Sequence, residues 1–565
     1  MEKLLETPPE KPWLSSYTDG VPEEIDLTEF DSVVDVLAQT VERYADRPAY
    51  TNLGHTLTYR DLDQLSGQFA AYLQHDLKLA QGDRIALMMP NVLQYPVALF
   101  GALRAGLTVV NTNPLYTARE LKHQLTDAGA KAVLALDHFA ATLSKVLPET
   151  QVEQVLLTSL GDMLPFPRRL LVNAVVKYQK KMVPAYSLPQ AVPFAKALSR
   201  GKSLPAAKAD LAHKDLAFLQ YTGGTTGVAK GAMLSHGNIV ANMQQSSAWV
   251  AGEIHLGEEV IITALPLYHI FALTSNCLVY MKFGAHNHLI TNPRDMDGFV
   301  GELKTIPFST LTGVNTLFNG LLNHPEFASL DFSNLRVTLG GGMAVQRAVA
   351  ERWKEVTGCP LVEAYGLTET SPGACINPVH STEYNGYIGL PICSTVAVIK
   401  DEDGNNLPTG ESGELCISGP QVMQGYWQRP EETAKVMTDD GFLRTGDMAL
   451  MTEDGYFKIV DRKKDMILVS GFNVYPNEIE DVVAAHPGVV EVAAIGVPDE
   501  KSGEIVKICV VRKDPNLDAE TLRAHCKEHL TGYKVPRLVK FMEELPKTNV
   551  GKILRRELRD AEAAQ

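Results

Sequence analysis

The most informative run of the chain is Tyr221-Thr222-Gly223-Gly224-Thr225-Thr226-Gly227-Val228-Ala229-Lys230-Gly231. It follows an apolar, strand-like segment at 217–221 and precedes a helix start at 235–238. Glycines let a backbone approach a polyphosphate closely, while threonine hydroxyls and a lysine add donors and charge. The run has no Gly-Lys-Ser/Thr and so is not a Walker A loop. It predicts a phosphate-binding loop of another kind, with a flexible surface loop as the alternative.

Around this run, short apolar segments alternate with longer amphipathic ones. The predicted strands are 84–89, 107–110, 132–136, 217–221, 260–264 and 335–339, and the predicted helices are 91–104, 118–128, 237–249 and 344–356. Such alternation is typical of α/β proteins, in which parallel sheets are covered by helices on both faces. Turn signals become frequent after residue 363 and indicate a β-rich subdomain.

Length and charge predict two domains of unequal size. A chain of 565 residues exceeds what one hydrophobic core supports. Residues 462–565 carry 17 basic and 17 acidic side chains, so the net charge of −15 lies entirely in the rest of the chain. We therefore predict a large N-terminal domain at 1–461, with a β-rich subdomain at about 364–461, and a small α+β domain at 462–565. The acidic balance argues against a nucleic-acid-binding protein.

Cysteine usage and the N-terminal sequence point to a cytoplasmic protein. The seven cysteines are scattered without a Cys-x-x-Cys pair, which is typical of buried thiols in a reducing compartment. No basic start followed by an apolar run occurs at the N-terminus, so no signal peptide is expected.

Residues 163–202 contain eight basic side chains and no acidic one. Apolar residues recur there at helical spacing, namely Leu170, Leu171, Ala174, Val175, Tyr178 and Met182. A basic amphipathic helix of this kind can lie on an anionic membrane surface. The alternative is a surface helix that packs on the protein through the same apolar stripe.

Several further segments carry chemistry. Glu369 follows Thr368 in Tyr-Gly-Leu-Thr-Glu, and a carboxylate beside a hydroxyl near a polyphosphate suits Mg²⁺. The glycines at 340–342 leave room for a flat ring against the backbone. Asp447 could accept hydrogen bonds from a ribose, or it could form an Asx turn. Lys552 lies in 546–556, Pro-Lys-Thr-Asn-Val-Gly-Lys-Ile-Leu-Arg-Arg.

The run at 221–231 resembles the phosphate-loop signature of the adenylate-forming superfamily, which includes acyl-CoA synthetases, firefly luciferase and the adenylation domains of peptide synthetases. Gly223 replaces the usual serine and Ala229 the usual proline, so residue 223 can contribute only its backbone. The other family segments follow in order, from about residue 31 to 558. Within the superfamily, 440–447, 459–465 and 470–480 look like bacterial long-chain-fatty-acid–CoA ligases, although Phe442 and Arg444 stand where these usually carry Trp and His.

The resemblance implies a role for individual positions. Lys552, His269, Thr368 and Glu369 would be catalytic, with Glu369 also holding Mg²⁺. The nucleotide would be bound by Thr222, Gly223, Gly224, Thr225, Thr226, Gly227, Lys230, Gly341, Gly342, Tyr365, Gly366, Asp447 and Arg462. Gly471 would line the path of the thiol, and Lys464 would lie near a hinge. The small C-terminal domain would swing on this hinge to bring Lys552 to the nucleotide.

The activity implied is ligation of a long-chain fatty acid to coenzyme A with ATP, through an acyl-adenylate, releasing AMP and pyrophosphate. The alternatives are a medium-chain or aromatic acid as substrate, or a carrier-protein thiol as acceptor. A membrane-associated scaffold with a degenerate site is the non-enzymatic alternative. Partners would be the fatty acid, ATP and CoA, with peripheral contact to the inner face of the cytoplasmic membrane through 163–202.

Overall fold

A computed structural model describes residues 10–222, 229–462, 464–470, 472–499, 501–548 and 551–563. Their strands are β1 (Pro48–Asn52), β2 (His55–Thr58), β3 (Arg84–Met88), β4 (Thr108–Asn111), β5 (Ala132–Leu136), β6 (Gln154–Thr158), β7 (Val192–Pro193), β8 (Leu216–Thr222), β9 (Lys230–Ser235), β10 (Val260–Thr263), β11 (His286–Leu289), β12 (Thr310–Gly313), β13 (Val337–Gly341), β14 (Leu361–Gly366), β15 (Gly373–Ile376), β16 (Leu390–Pro391), β17 (Val396–Lys400), β18 (Gly413–Ser418), β19 (Leu443–Met451), β20 (Phe457–Arg462), β21 (Ile467–Val469), β22 (Phe472–Val474), β23 (Val489–Asp499), β24 (Gly503–Arg512) and β25 (Leu538–Met542).

The α-helices of the described residues are α1 (Val33–Tyr44), α2 (Tyr59–Ala71), α3 (Gln94–Arg104), α4 (Ala118–Ala128), α5 (Ala140–Val146), α6 (Arg168–Ala174), α7 (Phe194–Gly201), α8 (His236–Val250), α9 (Tyr280–Lys282), α10 (Met296–Leu303), α11 (Asn315–Asn323), α12 (Arg347–Thr357), α13 (Pro430–Val436), α14 (Pro476–Ala484), α15 (Ala519–His529) and α16 (Arg555–Ala563).

Two large sheets form the body of the protein, as the α/β prediction requires. The first has the order β7-β6-β5-β3-β4-β8-β9 and is parallel except for the β8–β9 hairpin. The second has the order β16-β15-β14-β13-β12-β10-β11-β1-β2 and is parallel from β14 to β1. One continuous core includes Leu87 and Phe218 of the first sheet and Ile261 of the second. The carboxyl ends of parallel strands are where α/β proteins bind ligands.

The element predictions in this body are confirmed to within a few residues. Helix α4 begins and ends where predicted, because Thr117 forms a capping box with Glu120 and Gly129 ends the helix in a left-handed conformation. The strand predicted at 335–339 begins two residues later, at Val337, because Leu335 donates its N–H to Phe332 in a turn.

The chain after residue 390 forms two smaller sheets. Strands β17-β18-β19-β20 make a four-stranded antiparallel sheet, whereas β14, β15 and β16 belong to the nine-stranded sheet. The last sheet has the order β22-β21-β24-β23, with β25 parallel to β24. Its core contains Ile479, Val492 and Ile508 and draws on residues after 466 only. The predicted division of the chain between residues 461 and 462 is in keeping with this separate core and stays a prediction.

The seven cysteines are all free and buried, as predicted for core thiols. Among the residues that the structure describes, no helix is long and apolar enough to cross a bilayer.

Candidate active site

The predicted phosphate loop connects β8 and β9. Thr222 ends β8 and pairs with Lys230, the first residue of β9. Lys230 Nζ lies 3.0 Å from Glu432 Oε2 and 4.6 Å from the centre of the Tyr426 ring. The glycines and threonines predicted to cradle phosphate, namely Gly223, Gly224, Thr225, Thr226 and Gly227, lie outside the described residues, so their role stays a prediction.

The candidate metal ligand Glu369 lies close to this lysine. A short 3-10 helix, Thr368–Thr370, follows β14 and carries Glu369. The Tyr426 hydroxyl donates a hydrogen bond of 2.6 Å to Glu369 Oε1. Tyr426 therefore contacts the carboxylate with its hydroxyl and Lys230 with its ring face.

Sequence reasoning missed Tyr426. It lies beside β9, where the Trp427 N–H bonds to Gly231 O and the Met233 N–H to Gly425 O. No charge or spacing in the sequence marks this tyrosine, because its importance comes from a contact with a residue 57 positions away.

Tyr365 and Asp447 are adjacent, although 82 positions separate them. The Tyr365 hydroxyl donates to Asp447 Oδ2 at 2.5 Å, and burial beside that carboxylate raises the pKa of Tyr365. The backbone at Gly366 is equally confined, since a methyl group there would lie 1.8 Å from Pro372 O. Two of the residues predicted to bind the nucleotide, Tyr365 and Asp447, thus lie side by side.

The glycine turn at 340–342 adjoins Tyr365, because Gly341 pairs with Ala364. The region bounded by this turn, Tyr365 and Asp447 is called the cleft below. A methyl group on Gly341 would lie 3.0 Å from Ala364 O and 3.2 Å from the Phe271 ring. Gly342 has φ +77°, and a methyl group there would lie 3.3 Å from Cε of Lys552. The Lys552 side chain therefore lies against the glycine turn, more than two hundred residues away in sequence.

Lys552 is presented by a tight turn. The Thr548 N–H bonds to Lys552 O at 2.7 Å, and the Gly551 N–H bonds to Thr548 O at 3.0 Å. Gly551 has φ +85°, a conformation that favours glycine. These two bonds fix the backbone of Gly551 and Lys552, and this turn is called the lysine turn below.

His269 is uncharged at neutral pH. Burial, together with the positive charge of Lys552, lowers the pKa of His269 to about 3. Its Nδ1 accepts a bond of 3.3 Å from the Phe271 N–H, which fixes the ring. A neutral imidazole can accept a hydrogen bond from a substrate or donate one to it, but it cannot act as a cationic acid.

A buried ionic cluster lies next to the predicted hinge, because Asp461 directly precedes Arg462 and pairs with Arg555. Arg462 ends β20, where its backbone pairs with that of Asp447. The Asp461 carboxylate is fully buried, accepts from the Asn477 N–H at 3.0 Å and lies 3.4 Å from the Arg555 guanidinium. Arg555 follows Lys552 by three residues, so the cluster connects the lysine turn to the strand that precedes the hinge. Gly471 lies outside the described residues, and its predicted role is untested.

The segment at 163–182 does not pack on the protein through the predicted apolar stripe, which was one of the two alternatives. It forms α6 followed by a π-helical turn, Val175–Gln179. Most of the predicted apolar stripe is exposed, with Leu171 at 66% and Tyr178 at 72%, whereas Val176 is buried. The stripe therefore does not attach this helix to the protein. Sequence periodicity identified the helix but not the face that packs.

Two family models match the chain. The model of the AMP-binding enzyme family matches residues 37–427, and that of the AMP-binding enzyme C-terminal domain matches residues 478–552. A long-chain-fatty-acid–CoA ligase of Escherichia coli O6:H1 is 58% identical over 550 residues, which are 97% of this chain and 98% of the relative. The ligase of the same name from Haemophilus influenzae is 55% identical over 560 residues, covering 98% and 99%. The crystal structure of ATP-bound MatB from Rhodopseudomonas palustris is 28% identical, with a TM-score of 0.80 over 94% of this chain and 99% of that one.

Proposed function

The chain belongs to the AMP-binding enzyme family, and from this premise we propose that it joins a long-chain fatty acid to coenzyme A. In the first step a carboxylate oxygen of the fatty acid attacks the α-phosphorus of ATP. The bond from that phosphorus to the bridging oxygen breaks, pyrophosphate leaves, and an acyl-adenylate forms. In the second step the CoA sulfur attacks the acyl carbon, loses its proton to solvent and displaces AMP. The 55–58% identity to long-chain-fatty-acid–CoA ligases, over nearly the full length of the chain, supports the assignment.

The observation that carries the proposal is the position of Lys552 against Gly342. Negative charge builds up on the α-phosphate and leaving-group oxygens in the first step, and a preorganised cation there stabilises it. Lys552 is such a cation, delivered from near the end of the chain into the cleft that holds Tyr365 and Asp447. The fatty-acid carboxylate is already ionised at neutral pH, so the first step needs no strong base. The neutral His269 is in keeping with this.

Glu369 and Thr368 fit a magnesium ion held mainly by substrate. Mg²⁺ binds through one or two carboxylates plus phosphate oxygens in nucleotide sites. Glu369 is half-buried, and within the part of the chain that the structure describes, only its Oε1 accepts a side-chain hydrogen bond, from Tyr426. Bound there, the ion would neutralise phosphate charge. Tyr426 would hold the carboxylate in place, and Lys230 would add a second cation.

The test measures AMP release in the presence of ATP, CoA and fatty acids of graded chain length. A long chain should be preferred, because each methylene buried in an apolar site contributes about 0.8 kcal/mol. Release with aromatic or medium-chain acids alone would instead favour those substrates. Acid-dependent pyrophosphate release that never proceeds to acyl-CoA would favour a carrier-protein thiol as acceptor.

We further propose that the protein contacts the inner face of the cytoplasmic membrane through the predicted segment 163–202, and chiefly through its part at 163–182. The exposed apolar side chains there include Phe166, at 75% exposed, and Leu171. The same segment carries exposed basic residues, namely Arg168, Arg169, Lys177, Lys180 and Lys181. A segment that exposes both apolar and basic side chains is complementary to an anionic lipid surface, where each basic residue contributes about 1 kcal/mol. Such contact suits an enzyme that collects fatty acids from a bilayer.

Vesicle sedimentation tests the membrane proposal. Changing Lys177, Lys180 and Lys181 to Gln should weaken binding to anionic vesicles and leave binding to zwitterionic vesicles unchanged. Unaltered sedimentation with anionic vesicles would reject the contact.

A further inference from the structure

Helix α11 has one apolar face and one polar face. Phe318, Leu321 and Leu322 are buried against the body of the protein. Thr316 and Asn319 are half-buried and are spaced i, i+3, so they lie on one side of the helix. The sequence predicts no function for these two residues, because neither is charged and neither belongs to the predicted site.

The first polar residue holds the lysine turn. Thr316 Oγ1 donates a hydrogen bond of 3.0 Å to Gly551 O. Gly551 directly precedes Lys552, and a methyl group on it would lie 2.8 Å from Thr316 Oγ1 and 3.2 Å from Val314. The start of α11 is therefore packed tightly on the backbone that presents Lys552.

The second polar residue contacts a different segment of the C-terminal unit, by which we mean the residues from 467 onward that form the last sheet and its core. Asn319 Nδ2 donates to Val490 O at 3.0 Å, at the beginning of β23. The next residue, Glu491, forms an ion pair of 2.6 Å with Lys547, which lies in the segment leading to the lysine turn. The two bonds from α11 thus reach two chain segments that are themselves joined.

These bonds favour one arrangement of the C-terminal unit over others. Withdrawal of Lys552 from the cleft would break both bonds, whereas contacts inside the unit, such as Lys547 to Glu491, would persist. Bonds between uncharged groups change an equilibrium on the order of 2- to 10-fold each. Contacts of that strength can form and break within a catalytic cycle.

We propose that Thr316 and Asn319 are positioning residues that dock the C-terminal unit with Lys552 in the cleft. They would thereby favour adenylate formation over the thiol step that follows. This role rests on the proposed function, in which Lys552 must be present for the first step and must leave the cleft for the second.

The test compares the two half-reactions in Thr316→Val, Asn319→Ala and the double variant of the full chain. Adenylate formation is followed as pyrophosphate release from ATP and fatty acid without CoA. Thiolation is followed as acyl-CoA formation from supplied acyl-adenylate and CoA. The double variant should lose roughly 5- to 50-fold in the first and stay within about twofold in the second.

Two controls separate docking from folding. Thr305→Val removes a hydroxyl that bonds to Glu302 O just after α10, a local contact that does not involve the C-terminal unit, and should alter neither half-reaction. Thr316→Ser keeps the hydroxyl and should restore adenylate formation.

The outcomes distinguish this role from the proposed function. An unaltered chain that yields no acyl-CoA would overturn both. If the unaltered chain is active, equal loss of both half-reactions in the double variant, or no loss in either, would overturn the docking role alone.

Discussion

The Tyr426 hydroxyl donates a 2.6 Å hydrogen bond to Glu369, and the same tyrosine ring lies 4.6 Å from the ammonium group of Lys230. One side chain therefore fixes the distance between the candidate metal ligand and the candidate phosphate-binding lysine. The neighbouring backbone holds this tyrosine in place by pairing with β9. A site made of a carboxylate and a lysine needs such a spacer, because the two groups would otherwise pair with each other.

Tyr426→Phe should reduce adenylate formation by roughly 10- to 100-fold. The hydrogen bond is made to a charged carboxylate, and such bonds are worth about 1.5–3 kcal/mol. The loss should appear mainly as a raised KM for Mg²⁺–ATP, measured in initial-rate assays at varied metal concentration. Tyr17→Phe is the matched control, since its hydroxyl bonds to Pro391 O at 2.6 Å, far from Glu369 in the chain. Equal losses in both variants would contradict a positioning role for Tyr426.

Lys552→Ala should nearly abolish adenylate formation and largely spare thiolation of supplied acyl-adenylate. The substitution removes the cation beside Gly342, which only the first step requires. Each half-reaction is measured separately by rapid quench. Lys513→Ala, an exposed lysine of the same unit, should leave both unchanged. If Lys552→Ala slowed both steps alike, the lysine could not belong to the first alone.

The sequence predicts a helix or strand well when neighbouring residues set its ends. Helix α4 was predictable to the residue because Thr117, Glu120 and Gly129 mark its ends within fourteen positions. The candidate site residues Tyr365, Asp447 and Lys552 were likewise found from short motifs. Their closeness in space was expected only from the family resemblance.

Contacts between distant segments escaped sequence reasoning. Thr316 bonds to Gly551 across 235 positions, and Arg555 reaches Asp461 across 94. Neither threonine nor arginine carries a signal of its own, because pairing depends on how the two units dock. The apolar face of 170–182 shows the same limit, since helical spacing does not tell whether a stripe meets protein or solvent.

The contribution of Glu363 to the stability of the protein should fall as pH rises from about 5 to 8. Burial raises the pKa of Glu363 to about 8, and the Val345 N–H bonds to its carboxylate at 3.2 Å. Between the ordinary pKa of glutamate and this value, the folded protein binds more protons than the unfolded chain, so each pH unit costs up to about 1.4 kcal/mol.

Thermal unfolding of the parent and of Glu363→Gln between pH 5 and 8 checks this. The amide cannot ionise, so the Tm of the variant minus the Tm of the parent should increase from pH 5 to pH 8. Asp331→Asn is a suitable control, because that carboxylate is exposed and its pKa is lowered by hydrogen bonds from Ser333, so it remains charged throughout. Parallel curves for the parent and Glu363→Gln would show that Glu363 does not titrate in this range.

Replacing Leu170, Leu171 and Tyr178 by Ser should weaken binding to anionic vesicles by roughly tenfold or more. Side chains of this size contribute about 1.5–3 kcal/mol each when they are fully removed from water, and a membrane interface supplies part of that. The protein's Tm should not fall, because all three side chains are more than half exposed. Vesicle co-sedimentation and thermal unfolding measure the two effects. Leu256→Ser provides the control, since Leu256 is 64% exposed outside this segment. Full retention of vesicle binding by the triple variant would show that these side chains do not enter the lipid.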